Sequence, residues 1–267
     1  MRINSFVTPG SLQNDLVVLS PDESHHLARV LRVEPNQELT LFDGQGTRAE
    51  GVVESVTKKE VSVRITNRET VAPPAVEITL IQAICKPDRF EMILQKATEL
   101  GVRTILPVVT ANASLPAGKI DKIISRGEAI IRNASQQCGT AWLPVFHPLE
   151  KLSSLFPTLG KEQQALTQSV PMLGKFDAVF IGSLHPNAKP FKESFHPPSP
   201  EGSGATRGLE NIKTAALLIG PEGDFTKEEV HAAVEAGAIP VTFGKQILRT
   251  ETAAIFGLSV LAYELLG

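Results

Sequence analysis

Along the first seventy residues, apolar and polar positions alternate in short runs. Glu38 to Phe42, Arg48 to Val56 and Val61 to Ile65 each put their apolar residues on one side of an extended chain. Asp43-Gly44-Gln45-Gly46 supplies the turn between the first two runs. Residues 24 to 33 follow a helical period that would bury Leu27, Val30 and Leu31. Glu69 to Ala75, with Pro73-Pro74, reads as a linker, so the chain divides into a β-rich unit, 1–70, and a remainder, 71–267.

Beyond the linker, continuous apolar runs alternate with amphipathic stretches. Val76 to Ile84, Thr104 to Val109, Asp177 to Ser183, Ala215 to Ile219 and Ile239 to Phe243 predict buried strands. Pro87 opens a helix with Phe90, Ile93, Leu94 and Ala97 on one face, closed by Gly101. Ile120 to Cys138 forms a longer helix with Ile123, Ile124, Ile130, Ile131 and Ala134 inward. Thr226 and Glu229 make a capping box for Lys227 to Ala236, and a final helix carries Ala254, Leu258, Leu261 and Leu265 on one side. This alternation gives an α/β fold with a mainly parallel sheet covered on both faces. Residues 187–212 contain Pro197-Pro198-Ser199-Pro200 and several glycines and serines, a composition expected of an exposed insertion.

Composition narrows the class without choosing a function. With 42% hydrophobic residues the chain can build ample core, and no apolar run approaches the roughly 20 residues that span a bilayer. The start, Met1-Arg2-Ile3-Asn4-Ser5-Phe6, has no apolar leader segment, so a cytoplasmic location is expected. Net charge is −3, and nucleic-acid binding would need a local patch such as Arg29, Arg32, Lys58 and Lys59, or Lys119, Lys122 and Arg126. Cys85 and Cys138 lie outside any C-x-x-C and are expected to be reduced, buried small residues. Adjacent His25 and His26 lack a third ligand at metal spacing, so capping or packing is expected of them, with nucleic-acid contact second, and no metal is called for.

Candidate chemistry gathers near the C-terminus. Gly220-Pro221-Glu222-Gly223-Asp224 follows one predicted strand, and Gly244 to Ala253 follows the next. Glycine-bearing loops at the ends of adjacent strands are where an open α/β sheet holds its ligand. Neither G-x-G-x-x-G nor G-x-x-x-x-G-K-[ST] is present, so spacing alone predicts a cofactor crevice of unspecified kind.

The residues go further. Ile219 to Val230 and Phe243 to Ala253 are joined by His25-His26-Leu27 with Val30-Leu31-Arg32, by Phe42-Asp43-Gly44, by Lys96 to Val102, and by Leu184-His185-Pro186. Together they resemble the bacterial small-subunit (16S) ribosomal RNA uridine-N3 methyltransferases of the SPOUT superfamily. That resemblance implies a trefoil-knotted catalytic domain behind a PUA-like β-barrel that assists RNA binding. It implies S-adenosylmethionine as cofactor, 16S ribosomal RNA in the small subunit as substrate, and a homodimer with Phe256 and Val260 as candidate contacts.

Three loops would then hold the cofactor. The first offers Leu184, His185 and Pro186, and the second Ile219, Gly220, Pro221, Glu222 and Gly223. The third offers Gly244, Ile247, Leu248, Arg249, Thr252 and Ala253. A side chain at Gly220, Gly223 or Gly244 would fill space the ligand needs. Leu184, Ile247 and Leu248 suit the adenine, while His185 fixes its own turn. Uracil N3 must lose a proton before it attacks a methyl carbon. Arg249 is the candidate for stabilising the developing imidate, or for contacting a phosphate or the cofactor carboxylate. Glu222 and Glu251 are candidates for proton removal or polar contacts, unless one caps a helix and pairs with Arg249. Arg29 and Arg32 are candidates for RNA contact.

The chain also departs from the family's pattern. Thr110-Ala111-Asn112 stands where a Ser-Glu-Arg triplet is usual, and Gln136-Gln137 before Thr140 stands where a Glu-Gln pair precedes an arginine. Asn112 and Gln136 are expected to meet and replace an ion pair by a hydrogen bond. Two other readings remain: a knotted methyltransferase for another RNA or base, or a ribosome assembly factor that binds RNA without catalysis.

Overall fold

A computed structural model describes residues 3–57, 59–113, 115–156, 173–195 and 212–266. They cluster into two units: Met1–Pro73 with Arg132–Leu143, and Pro74–Ile131 with Pro144–Gly267.

The first unit is a five-stranded sheet in the order β1-β3-β4-β5-β2. Its strands are β1 (Ile3–Phe6), β2 (Leu16–Val18), β3 (Glu38–Phe42), β4 (Thr47–Val56) and β5 (Val61–Thr70). Pairing is antiparallel except for β1 on β3. Alternation along β3 to β5 delivers Leu39, Leu41, Ala49, Val53, Val61 and Val63 to one core, where Leu27 joins them. No pairing joins the end strands β1 and β2 among the described residues, so the expected barrel closure is not seen. Trp142 completes the unit: its ring lies over Gly46, and its indole N–H donates to Val71 O at 3.1 Å and Ala72 O at 3.2 Å.

One expected helix takes another form. Ser20 caps α1 (Pro21–His25), and His26–Leu31 then continues as a wider π-type turn that ends at Arg32 in the left-handed region, φ 53°. The i→i+5 turn advances each residue through a smaller angle than an α-helix does. Leu27 is therefore buried, while Val30 and Leu31, expected beside it, are exposed. His25 and His26 are exposed too, so they do not pack, and Ser20 rather than either histidine supplies the cap.

The second unit is a parallel sheet in the order β11-β13-β10-β12-β6-β7-β8, with β9 also on β7. Its strands are β6 (Glu77–Ala83), β7 (Thr104–Val109), β8 (Val145–Phe146), β9 (Glu150–Lys151), β10 (Ala178–Gly182), β11 (Lys189–Pro190), β12 (Thr214–Ile219) and β13 (Ile239–Thr242). The helices are α2 (Pro87–Glu99), α3 (Ala117–Cys138), α4 (Phe191–Phe195), α5 (Lys227–Glu235) and α6 (Thr250–Leu265). The last residues of α3, from Arg132 on, belong to the first unit. Central strands buried on both faces need apolar residues at every position, which is why they read as continuous runs. One face packs Ile81, Ala83, Leu106, Val108, Ile181 and Leu218 against Val230 and Ala233 of α5. On the other face α6 packs against α2, β6 and β12. Gly257 permits that contact, since a Cβ there would stand 2.7 Å from Leu217 Cδ2.

Residues 187–212 are not wholly an insertion. Lys189–Pro190 pairs with β13, and Phe191 and Phe195 are buried against Phe180, with ring centroids 5.1 and 5.5 Å from it. The phenylalanines supply the apolar surface that the proline-rich stretch lacks; that stretch, within 196–211, lies outside the described residues. Cys85 is buried as expected, but Cys138 is exposed because it ends a helix on its solvent side. No described helix is long and apolar enough to cross a membrane.

Candidate functional site

The C-terminal ends of β6, β10, β12 and β13 surround a cavity of about 510 Å³. Three loops supply most of its wall, and all belong to the second unit. The first contributes Gly182, Ser183 and Leu184 and the second Ile219 to Glu222 with Asp224. The third runs from Val241 through Phe243, then from Gln246 to Glu251, and ends at Ala253. Parallel strands all point their C-terminal ends the same way, so successive βα loops converge without special design.

Apolar groups face this space with little cover. Leu184 is 58% exposed and Ile247 77% exposed, values at which an isolated chain would gain by covering them. Phe243 lies against Gly182, where a Cβ would stand 2.9 Å from its ring. The same ring contacts Phe191 and Phe256, which anchors the wall to the aromatic cluster behind it.

Polar groups are placed by their own partners. Glu222 is exposed and accepts the Lys86 N–H at 3.2 Å through one carboxylate oxygen. Asp224 sits in the left-handed region at φ 58° and accepts the Phe225 N–H at 2.8 Å, an arrangement its short side chain tolerates. Glu251 is nearly buried and held by the Arg89 guanidinium, which also meets Asp88 at 3.3 Å. Arg249 is exposed at the N-cap position of α6 and has no ion pair among the described residues. The alternative in which a glutamate caps a helix and pairs with Arg249 is not seen among the described residues; Arg89 pairs with Glu251 instead. Burial, and then the fields of Glu222 and Glu251, push the Cys85 thiol well above its ordinary range, so no thiolate nucleophile is on offer.

Of the expected residues, Leu184, Ile219, Gly220, Pro221, Glu222, Ile247, Leu248, Arg249, Glu251 and Ala253 line the cavity. His185, Pro186, Gly223, Gly244 and Thr252 are not among its lining. His185 accepts the Asn187 N–H at 3.3 Å and donates its own N–H to Ser183 Oγ at 3.0 Å, so it does fix its turn. The glycines have reasons of their own. A Cβ on Gly220 would meet Asp224 and Phe225 at 3.3 Å, and one on Gly223 would meet Asn112 at 3.2 Å. Gly244 has open space around it but a φ of 134° that L residues rarely adopt. Lys86, Arg89, Asp224 and Gln246 also line the cavity and were not anticipated. Lys86 and Arg89 lie far away in sequence, at the start of α2, and no glycine motif marks them.

Asn112 and Gln136 do not form the expected mutual hydrogen bond. Asn112 Nδ2 donates to Gly223 O and Asp224 O, both at 3.0 Å, and so clasps the second loop. Gln136 Nε2 donates to both oxygens of Glu23, at 2.8 and 2.7 Å, and Ser5 Oγ donates to the same carboxylate. For Gln136 an ionised carboxylate is a stronger acceptor than an amide oxygen, and for Asn112 two carbonyl oxygens take both N–H groups of Nδ2. Arg29 and Arg32 are both exposed on the π-type turn of the first unit.

Comparison with known proteins bears on this geometry. Residues 72–262 match the RNA methyltransferase domain, and residues 19–66 match the RNA methyltransferase PUA domain. The chain is 28% identical over 250 residues to ribosomal RNA small subunit methyltransferase E of Mycobacterium bovis, covering 91% of this chain and 84% of that protein. It is 26% identical to the Bacillus subtilis protein of the same name, covering 92% and 89%. Among solved structures, a Legionella pneumophila protein described as a methyltransferase with SAM bound superposes with a TM-score of 0.79 at 32% identity, covering 98% of each chain. Ribosomal RNA small subunit methyltransferase E of Neisseria gonorrhoeae, bound to S-adenosyl methionine, gives 0.76 at 28% identity, again covering 98% of each.

Proposed function

Since the chain belongs to the RNA methyltransferase family, we propose that it transfers the methyl group of S-adenosylmethionine to N3 of a uridine in small-subunit (16S) ribosomal RNA. The observation that carries this is the cavity at the ends of the parallel strands. Its volume falls within the roughly 300–1,000 Å³ of small-ligand sites, and its lining mixes exposed apolar side chains with groups of both charges. The cofactor carries an adenine, two cationic centres and a carboxylate. Leu184, Ile247 and Leu248 suit the first, Asp224 the second, and Lys86 the third.

When bound, the cofactor supplies a methyl carbon made electrophilic by its sulfonium. The protein's share is to hold the uracil in line with that carbon and to manage one proton. Glu222 is assigned to proton removal, because its carboxylate is exposed and only one of its oxygens is engaged. Arg249 is assigned to the negative charge that develops on the imide, its guanidinium having no competing carboxylate among the described residues. Glu251, committed to Arg89, orients that arginine at the cavity wall.

Further parts of the reading concern architecture and partners. β13 pairs with β10, away from β12, and α6 then returns to β6 and α2; this path supports a trefoil knot of the SPOUT kind. The PUA match supports a barrel-like RNA-binding role for the first unit, with Arg29 and Arg32 as contacts. Met92 and Phe256, more than two-fifths exposed, and Tyr263, 81% exposed, support a homodimer through α2 and α6. Such an enzyme would act in the cytoplasm on assembled small subunits, since a chain of net charge −3 must read particle shape more than phosphate charge.

The test incubates small ribosomal subunits from a deletion strain with methyl-labelled cofactor and digests the RNA to nucleosides. Label in 3-methyluridine is expected. Label in 2′-O-methyl or guanine-derived products would assign another target. Absence of label despite calorimetric cofactor binding would favour an assembly factor.

A further inference from the structure

Strand β6 carries one amide in an otherwise apolar run, and that amide reaches both major walls of the cavity. Gln82 is fully buried, between Ile81 and Ala83 on a strand with neighbours on both sides. Its Nε2 donates to Ala83 O at 3.0 Å and to Thr250 Oγ1 at 3.3 Å, and stands 3.5 Å from Ile219 O. The Thr250 hydroxyl in turn donates to Gly220 O at 2.6 Å. Thr250 is the first residue of α6, and Ile219-Gly220 is the junction of β12 with the second loop. All three line the cavity, whereas Gln82 lies behind them.

Turning the amide round would aim Oε1 at two carbonyl oxygens, so the orientation follows from the acceptors. The opposite end gains nothing from this arrangement, for Oε1 is buried with no hydrogen-bond partner. A buried acceptor left without a donor is a standing cost to the fold that a leucine of similar size would not carry. That cost offsets what the hydrogen bonds of Nε2 contribute to the fold, so the use of glutamine here lies in what Nε2 holds.

We propose that Gln82 is a positioning residue for cofactor binding: through Thr250 it sets the spacing and orientation of the Gly220 loop relative to the start of α6. This rests on the cofactor reading above. The hydroxyl of Thr250 accepts from Gln82 and donates to Gly220, so its direction is fixed and the Gly220 peptide is held from turning. Without the amide, the hydroxyl is free to rotate, and the two walls are joined only by their separate strands.

Calorimetry with S-adenosylmethionine on the full chain tests this, with melting temperature measured alongside. The parent binds. Thr250→Ser keeps the hydroxyl and retains affinity within about threefold, while Thr250→Val weakens it about tenfold or more. Gln82→Leu binds about tenfold more weakly yet melts no lower than the parent, a split that a merely structural residue would not give. Gln82→Glu carries the sharpest signature. Burial and the facing carbonyls raise its carboxyl pKa, so it regains a donor as pH falls. Its affinity relative to the parent should therefore recover on going from about pH 8.5 to about pH 6. Parent-like binding by Thr250→Val and both Gln82 variants would overturn the proposal while leaving the cofactor reading intact. Affinity that simply follows melting temperature, without recovery at low pH, would overturn it too. No binding by the parent would instead remove the cofactor reading, and the proposal with it.

Discussion

Breaking the Arg89–Glu251 pair should have very unequal effects depending on which partner goes. The Glu251 side chain is 8% exposed, that of Arg89 30% exposed, and Arg89 has a second carboxylate in Asp88 at 3.3 Å. Arg89→Met strands a nearly buried negative charge, which costs about 3–5 kcal/mol. Glu251→Gln leaves a cation that keeps Asp88 and some water, so its cost is that of one charged hydrogen bond, about 1.5–3 kcal/mol. The double variant removes both charges and should be more stable than Arg89→Met alone. For a unit of this size each kcal/mol moves the melting temperature about 2–4 °C, so Arg89→Met should lower it by roughly 6–20 °C. Urea unfolding of the four proteins closes the cycle and yields the coupling energy. Acid gives an independent check. A lone buried carboxyl has its folded pKa raised by desolvation, so the deficit of Arg89→Met is full at high pH and narrows as the group protonates on acidification. Equal losses from the two single variants, or a strictly additive double variant, would refute this account of the pair.

Gly257→Ala should destabilise by up to about 2 kcal/mol, since overpacking costs about 1–3 and the gain in helix propensity returns roughly 1. Adding Leu217→Val, which removes the atom 2.7 Å from the new methyl, should recover part of that in thermal unfolding. Asp224→Gly relieves a left-handed aspartate, so stability should stay within about 1 kcal/mol of the parent. Its cofactor affinity should fall because a cavity carboxylate is lost; calorimetry and a melting curve separate the two, and unchanged affinity would dismiss Asp224 from the site. Asp177 is held below the ordinary carboxylate value of 3.8 by the backbone N–H groups of Lys213 and then Thr214. Its folded pKa is depressed, so its stabilisation is present above that value and lost as pH falls below it. Asp177→Asn should therefore flatten the acid limb of a stability–pH curve, and an unchanged limb would count against the assignment.

How far these elements could be read beforehand follows from their packing. β7 and β12 are buried on both faces, so their apolar runs are continuous and hard to mistake. The capping box of α5 is local chemistry, and both of its hydrogen bonds are present. β1, β2, β8, β9 and β11 are not legible in the sequence: each is two to four residues long and is specified by the neighbour it pairs with more than by its own pattern. The exposure of Val30 and Leu31 could not be foreseen, because a π-type turn leaves no periodic trace in six residues. At the cavity, the glycine loops announced themselves through composition. Lys86, Arg89 and Gln82 did not, since they enter through β6 and the first turn of α2, more than a hundred residues upstream of the loops they meet.

The placement of Arg132–Leu143 in the first unit has a consequence for how the chain is made. Residues up to Pro73 leave the ribosome ahead of those that follow and contain all five strands of their sheet. Two of the supports they need come much later: Gln136, which donates to Glu23, and Trp142, whose ring covers Gly46 and whose indole ties down Val71 and Ala72. The N-terminal sheet must therefore wait, its last contacts unmade, while β6, α2, β7 and the larger part of α3 are synthesised. Neither unit is finished before the other has begun, and a chain cut at the proline linker would release a sheet with its aromatic cover missing.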